Sequence, residues 1–477
     1  MGKSTKTNIR GLRGEQRAEE LEGLDLNRII ILAIDSARDF PKALIFDYFG
    51  RVLEKPFFFT VNNDGIFSLH QKVQYWVGCV KAQRVFIGVE TAGCYHNAIV
   101  DALEKLGYQV NLVNSFTTAS ERKKMLDFSK TDDKDLIAIG QAIIANNGLS
   151  PKRITGFYEQ MQLVCRARRQ HVDEASAIKS QIRQLMSLVF REFQGLTDST
   201  GLTTHKMFPF WSSKSRMIMR HCPLPDQVLA LGETGLRKLA EAEKVKLKDY
   251  EIKLLLQASE RALSAPSSEL AQFQSEQVKF RLKQLEELEK QIASLELVIE
   301  QMLVKTPAVL LLSIKGVSIV TAAEFIAEVG VIFNYASNRQ IVKLAGINPV
   351  MSQSGGKNVN AFQISRQGNP ALRYIVTLIG KNLCSKKCSN TYFLKYYDRL
   401  SKKGKLPCQI YNAAANKFIR IAFAMFRDQK TFHVPGFEES SSDIFGKLSC
   451  KKNQQMAKEA LELLNVSVNL KEQLVCS

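Results

Sequence analysis

Arg28-Ile-Ile-Ile-Leu-Ala-Ile-Asp35 is apolar between its ends and closes on a carboxylate, the pattern of a buried strand. Downstream, Ala43 to Phe49 and Val52 to Val61 predict two further strands, with Phe49-Gly50-Arg51 as the turn between them. A helix is expected from about Gly65 to Val80. Arg84-Val-Phe-Ile-Gly-Val-Glu90 then repeats the opening pattern, a buried strand closed by an acid. A helix near His96 to Leu106 and a strand from Gln109 to Val113 continue the alternation. Residues 1 to 27, ahead of all this, are polar and charge-rich and predict a loose tail with some helix.

Three strands, helix, strand, helix, strand is the order of a ribonuclease-H-like α/β fold. In that fold the first and fourth strands are neighbours, so Asp35 and Glu90 meet at their ends. Carboxylates gathered at the ends of apolar strands are costly without a cation or partner. Thr131-Asp132-Asp133-Lys134-Asp135 opens a further helix. Asp132 and Asp135 share a face of it, and Asp133 points elsewhere. Four converging carboxylates, Asp35, Glu90, Asp132 and Asp135, suit a pair of Mg²⁺ ions that activate an attacking oxygen and stabilise a leaving one. Each residue also has a plainer reading. Thr131 caps the helix, the three aspartates complement its dipole, and Asp35 ends a strand in a turn. With this strand order the metal site is the better joint account.

The chain has 477 residues, room for two or three domains, and its 45% hydrophobic and 24% charged fractions are those of a soluble globular protein. A formal net charge of +19 points to a polyanionic partner. Nucleic acid is favoured over an anionic membrane, because no basic amphipathic anchor stands out. No apolar run reaches the roughly 18 residues that span a bilayer. Met1-Gly-Lys-Ser-Thr-Lys lacks a signal core, and nine scattered cysteines fit a reducing compartment. A cytoplasmic protein without a membrane partner is expected. No G-x-x-x-x-G-K-[ST] stretch occurs, which argues against a P-loop ATP motor.

Glu159 to Glu192 predicts a helix carrying Arg166, Arg168, Arg169, Lys179 and Arg183, read equally as a solvated face or as a surface for a nucleic-acid backbone. Pro209, Pro223 and Pro225 interrupt the stretch beyond that helix, and Asp226 to Ala262 reads as further helices. Leu285, Leu288, Ile292, Leu295, Ile299 and Met302 then recur at alternating spacings of three and four, a coiled-coil seam that packs within one chain or pairs two. Pro307 to Glu328 reads as helix, tight turn at Gly316, and helix. Such a turn and the following helix N-terminus can face a phosphate, with a plain helical corner as the other reading. Phe333 to Ala345 predicts one more helix.

Ala345-Gly-Ile-Asn-Pro-Val-Met-Ser-Gln-Ser-Gly-Gly-Lys357 places Ser354 against two glycines, and Ile364-Ser-Arg-Gln-Gly-Asn-Pro-Ala-Leu-Arg373 lies shortly after. Glycines let a backbone approach a ligand closely. Ser354 is therefore a candidate nucleophile toward a phosphate, with Lys357, Arg366 and Arg373 as basic contacts, and a polar surface loop is the plainer reading. Ser352 lacks the adjacent glycine, and Ser365 suits phosphate contact or capping. Tyr374 to Arg427 is helical and basic, its aromatics read as core before stacking platforms. Cys384 and Cys388 have no second ligand pair, so no zinc site is expected. Beyond Gln429 a polar, peripheral tail is expected, with a helix near Gln454 to Leu464.

Ala33-Ile-Asp35, Gly88-Val-Glu-Thr-Ala-Gly93, Val110-Asn-Leu-Val-Asn114 and Lys130-Thr-Asp-Asp-Lys-Asp135 resemble the DEDD signature of the insertion-sequence transposase family numbered one hundred and ten, which includes the Piv DNA invertases. Ser354-Gly355, and Ile364 to Arg373, are similar to the serine motif of that family's second domain and the motif after it. Leu136 departs from the family's usual alanine, a matter of packing. The resemblance covers about residues 28 to 430, least well in the middle. It implies a RuvC-like DEDD domain at 28–157, a helical coiled-coil region at 158–304 and a mostly helical transposase domain with a catalytic-serine loop at 305–430. Tails at 1–27 and 431–477 flank them.

The resemblance further implies DNA strand cleavage and rejoining, with Mg²⁺ on the four carboxylates and a covalent phosphoserine link at Ser354. Its implied partners are the element ends and target DNA, a structured noncoding bridge RNA, and further copies of the chain as a dimer or tetramer paired through the seam. The implied location is the prokaryotic nucleoid. A Piv-like invertase shares every one of these residues. A resolvase using water, with Ser354 structural, and a non-catalytic nucleic-acid-binding protein are the other readings left open.

Overall fold

Ile29–Asp35 forms β1, Lys42–Asp47 β2, Val52–Phe58 β3, Arg84–Thr91 β4 and Val110–Asn114 β5. They make one sheet of order β3-β2-β1-β4-β5. β1 and β4 are parallel, as are β4 and β5, while β2 and β3 are added antiparallel. The helices of this region are α1 (Leu12–Leu21), α2 (Asn63–Val80), α3 (His96–Lys105), α4 (Ser115–Lys124) and α5 (Asp132–Ile144). The computed structural model describes residues 12–91, 93–124, 131–146, 154, 156–197, 204–205, 208–263, 268–350, 352–354, 357–359, 363–434, 445–460 and 462. The chain divides into two compact units, residues 1–153 and 154–477.

β1 is apolar throughout because both faces of the sheet are covered. Ile30, Leu32 and Ile34 pack with Ile66, Leu69 and Val73 of α2 and with Ile99 and Leu103 of α3. Ile29, Ile31 and Ala33 face the other way, onto Leu136, Ile139 and Ile143 of α5. Two glycines let α5 lie close. A Cβ on Gly88 would stand 2.3 Å from Ile143 Cδ1, and one on Gly140 would stand 2.1 Å from Phe46 Cζ.

The loose tail expected over residues 1–27 is instead docked wherever it is described. Leu21, Leu24 and Leu26 pack on the α5 side of the sheet. Arg17 is buried, donates from Nη2 to the Ile143 carbonyl at 2.6 Å, and lies 4.3 Å over the Phe86 ring.

In the second unit, α6 (Phe157–Val189) and α10 (Ser268–Leu303) pack along one another. The pair is antiparallel, Arg168 meeting Glu296 at 2.6 Å and Lys179 meeting Glu289 at 3.0 Å. Toward one end of the pair, α7 (Ser213–His221), α8 (Pro225–Ala242) and α9 (Asp249–Arg261) complete one apolar cluster. Toward the other end lie α11 (Ile319–Val329), α12 (Asn338–Ala345), α13 (Pro370–Leu383), α14 (Thr391–Ser401) and α15 (Pro407–Asp428) around a larger one. Leu285 and Ile299 are buried in these clusters, with Leu288, Ile292 and Met302 half-buried against them. Five of the six seam residues thus pack within the chain.

Three further expectations change. Pro307–Ser313 is a 3₁₀ helix rather than an α-helix, and α12 starts only at Asn338, after a short 3₁₀ turn at Ile332–Asn334. The region beyond Gln429 is not peripheral where it is described: Phe432, Leu448 and Ala457 are buried in the larger cluster. Ser449 N, Ser449 Oγ and Asn453 Nδ2 donate to Glu300 Oε1 at 2.6, 2.8 and 2.9 Å, and a helix covers 451–460. Among the described residues no helix is long and apolar enough to cross a membrane.

Candidate metal centre and serine hairpin

Side chains alternate across a strand, so residues two apart share a face. Asp35 continues the Ile29, Ile31, Ala33 set toward α5, and Glu90 continues the Phe86, Gly88 set of β4 to the same side. The parallel register, Ala33 beside Gly88 and Ile34 beside Val89, brings the two acids to the same level. On α5, Asp135 stands one turn before Ile139, whose side chain lies against Gly88. One carboxylate oxygen from each of Asp35, Glu90 and Asp135 lies within 4.8 Å of the other two. Asp135 is buried and the other two are half-buried. Carboxylates this close repel one another unless a cation is shared, and hard oxygens are the donors a divalent cation such as Mg²⁺ takes.

Asp132 is not part of this group. It is exposed at the first position of α5. Asp133 points away, as its position on the helix requires, and pairs with Lys42 at 2.5 Å. Thr131 caps α5 through the Lys134 N–H, on the same helix turn as Asp135. Two residues unremarked in the sequence complete the surroundings. Ser36 Oγ donates to the Glu90 carbonyl at 2.6 Å and ties the end of β1 to β4. Arg122, on α4, forms an ion pair with Asp135.

Several cations of α6 find partners within the chain. Arg166 meets Glu328 at 2.7 Å, and Arg169 meets Glu324 at 2.7 Å, both carboxylates buried on α11. Arg183 stacks over Phe210 and Trp211. These pairs tie α6 to its neighbours, while Arg166 and Arg183 are themselves exposed.

Ser352–Ser354 and Lys357–Val359 form a small antiparallel hairpin in which Ser354 pairs with Lys357. Gly355 and the side chains of Ser354 and Lys357 lie outside the described residues. The hairpin is carried by a frame that is described. Val350 N donates to the Gln363 carbonyl at 2.9 Å and Pro349 bridges Ile364. Ser365 is engaged twice with Asn348, its N–H to the carbonyl at 3.0 Å and its Oγ to Oδ1 at 2.7 Å. Gly368 has φ +148°, and a Cβ there would lie 2.2 Å from the Leu344 carbonyl oxygen. Asn369 caps α13 and reaches Glu328 Oε2 at 2.6 Å.

Of the expected basic contacts, Arg366 is exposed at φ +54°. Arg373 donates from Nη1 to the carbonyls of Ala345 at 3.3 Å and Arg366 at 3.0 Å. The expected turn at Gly316 is present with φ +102°, packed against Leu383 and Cys388, and Ser318 caps α11 after it. The aromatics of α14 read as core where Phe393 is concerned, for it is fully buried.

Two family models match the chain. A DEDD transposase family model of the IS110 type matches residues 32–191, which hold the whole acidic cluster. A second model, described as Transposase IS116/IS110/IS902 family, matches residues 308–398, from the 3₁₀ helix through the serine hairpin to α14. The chain is similar to the insertion element IS900 uncharacterized 42 kDa protein of Mycobacterium paratuberculosis, 30% identical over 129 residues, or 26% of this chain and 31% of that protein. The aligned part thus spans less than a third of that relative. A mixed five-stranded ribonuclease-H-like domain with a DEDD signature, followed by a mostly helical transposase domain, places the chain in the IS116/IS110/IS902 family of transposases.

Proposed function

We propose that this protein cuts and rejoins DNA strands at the ends of a mobile element and at its target, using the acidic cluster and Ser354 as the two halves of its chemistry. The observation that carries the reading is the meeting of Asp35, Glu90 and Asp135 within 4.8 Å at the ends of adjacent parallel strands. Asp135, Asp35 and Glu90 would hold Mg²⁺, and Asp132, three residues before Asp135 on the same helix, is the fourth donor in this reading. Bound there, Mg²⁺ would supply positive charge to offset that developing on the scissile phosphate.

The chain's own residues do the rest. Ser354 Oγ forms a bond to phosphorus as the bond to the departing deoxyribose oxygen breaks. The serine proton leaves to a base and the departing oxygen gains one. One phosphodiester replaces another, so the return reaction needs no ATP. A serine hydroxyl is a weak nucleophile until a neighbouring base or cation activates it, which is why Ser354 depends on the acidic cluster. Arg366 and Lys357 would hold the DNA backbone, and the turn at Gly316 would offer N–H groups to a phosphate. A bridge RNA from the element is the proposed guide, and further copies of the chain are the proposed partners.

A recombination assay with the native element ends and their noncoding transcripts tests the reading. Wild-type protein is expected to join element to target with Mg²⁺ present, and Asp35→Asn to give none. Equal joining by Asp35→Asn would remove the acidic cluster from the mechanism.

A further inference from the structure

We propose that Arg122 is the counter-ion of the acidic cluster when no divalent cation is bound, and that it makes cation binding depend on nucleic acid. The inference rests on the reading of Asp35, Glu90 and Asp135 as a cation site and adds a residue to it.

Arg122 lies on α4, whose last turn is basic with Arg122, Lys123 and Lys124. α4 packs against α5, and the Arg122 guanidinium pairs with Asp135 Oδ1. The pair is sheltered, the Arg122 side chain 19% exposed and that of Asp135 5%. Its neighbours are already committed, Glu121 to Lys124 at 2.6 Å and Asp133 to Lys42 at 2.5 Å. Arg122 is therefore the cation this arrangement gives to the most buried carboxylate of the cluster.

Two cations cannot share that carboxylate at no cost, since like charges repel strongly in a partly dry site. A divalent ion entering beside Asp135 must displace the guanidinium or bind against it. A displaced guanidinium needs a new anion, and a nucleic-acid phosphate fits its planar fork of donors. Phosphate binding and cation binding would then favour each other, each relieving a cost of the other. In the absence of nucleic acid the cluster stays assembled but holds its cation weakly, which restrains the cutting site until a strand is in place.

Mn²⁺ is the probe, its binding to the full-length protein followed by electron paramagnetic resonance without nucleic acid. Arg122→Gln is expected to tighten Mn²⁺ binding by on the order of tenfold, within the usual range of coupling between sites. Arg122→Lys, which keeps a charge but loses the fork, is expected to fall between the two and provides the test if the glutamine variant does not fold. With a short DNA duplex added, Mn²⁺ binding should tighten more in wild type than in either variant. Unchanged or weaker Mn²⁺ binding in a folded Arg122 variant would overturn the proposal and leave the cation site standing. Asp35→Asn separates the other failure: if it leaves Mn²⁺ binding as in wild type, the cation reading falls and takes this inference with it.

Discussion

The acidic cluster and the serine hairpin are held by different physics. Asp35, Glu90 and Asp135 stand on two central strands and a helix whose apolar neighbours, Ile31, Ala33, Phe86, Leu136 and Ile139, are buried on one face of a sheet. A slip of one residue would turn Ile31 and Ala33 of β1, or Phe86 of β4, to the wrong face, so burial fixes Asp35 and Glu90. The hairpin has two strands of three residues each. Its place is set by backbone hydrogen bonds between residues 344–350 and 363–369, by the close approach at Gly368, and by Asn369 locking onto Glu328.

That difference can be broken or sharpened by substitution. The largest change in stability is expected from Leu136→Ala, since Leu136 is fully buried on the sheet-facing side of α5. It should cost about 2–5 kcal/mol by cavity formation. Hydrogen exchange across α5 and β1 checks it, and Mn²⁺ binding to the folded fraction should change little. A cost below about 1 kcal/mol would mean that burial is not what holds α5. Next comes Gly368→Ala, whose Cβ would meet the Leu344 carbonyl oxygen at 2.2 Å. Displacing the hairpin by about 1 Å is expected to lower strand joining by roughly 10²-fold, while cation binding by the first unit stays as in wild type. Smallest is Glu328→Gln, which leaves Arg166 and Asn369 with a weaker acceptor. Calorimetry should read a loss of about 1–3 kcal/mol, and joining should fall less than for Gly368→Ala. If the order of those two reverses, the hairpin depends on the buried ion pairs more than on the backbone frame.

The sheet was legible because its signals are local. Apolar runs ending on Asp35 and Glu90, with a cap at Thr131, are enough to give strand order and bring three acids together. Asp132 is exposed and lies outside the group of three, because helix periodicity gives a face and not a distance. Contacts between distant segments left weaker traces. Leu21, Leu24 and Leu26 were an apolar trio within a polar tail, and they were the available sign that α1 docks. Nothing in the spacing of Arg122 to Asp135 marks an ion pair, since it is made by two helices separated in the chain. The seam on α10 was visible, but its partner α6 is also long, and periodicity alone cannot say whether the covering helix belongs to the same chain. Glu324 and Glu328 looked like ordinary helix residues, yet they are buried and absorb the cations of α6.

The claim that one unit supplies the acids and the other the nucleophile meets its most direct test in the covalent intermediate. Wild-type protein, incubated with its DNA and Mg²⁺ and then denatured, should carry a protein–DNA adduct that peptide mass spectrometry maps to Ser354. Ser354→Ala and Asp35→Asn, each shown to be folded, should carry none. An adduct that persists in Ser354→Ala, or that maps to Ser352 or Ser365, would contradict the account.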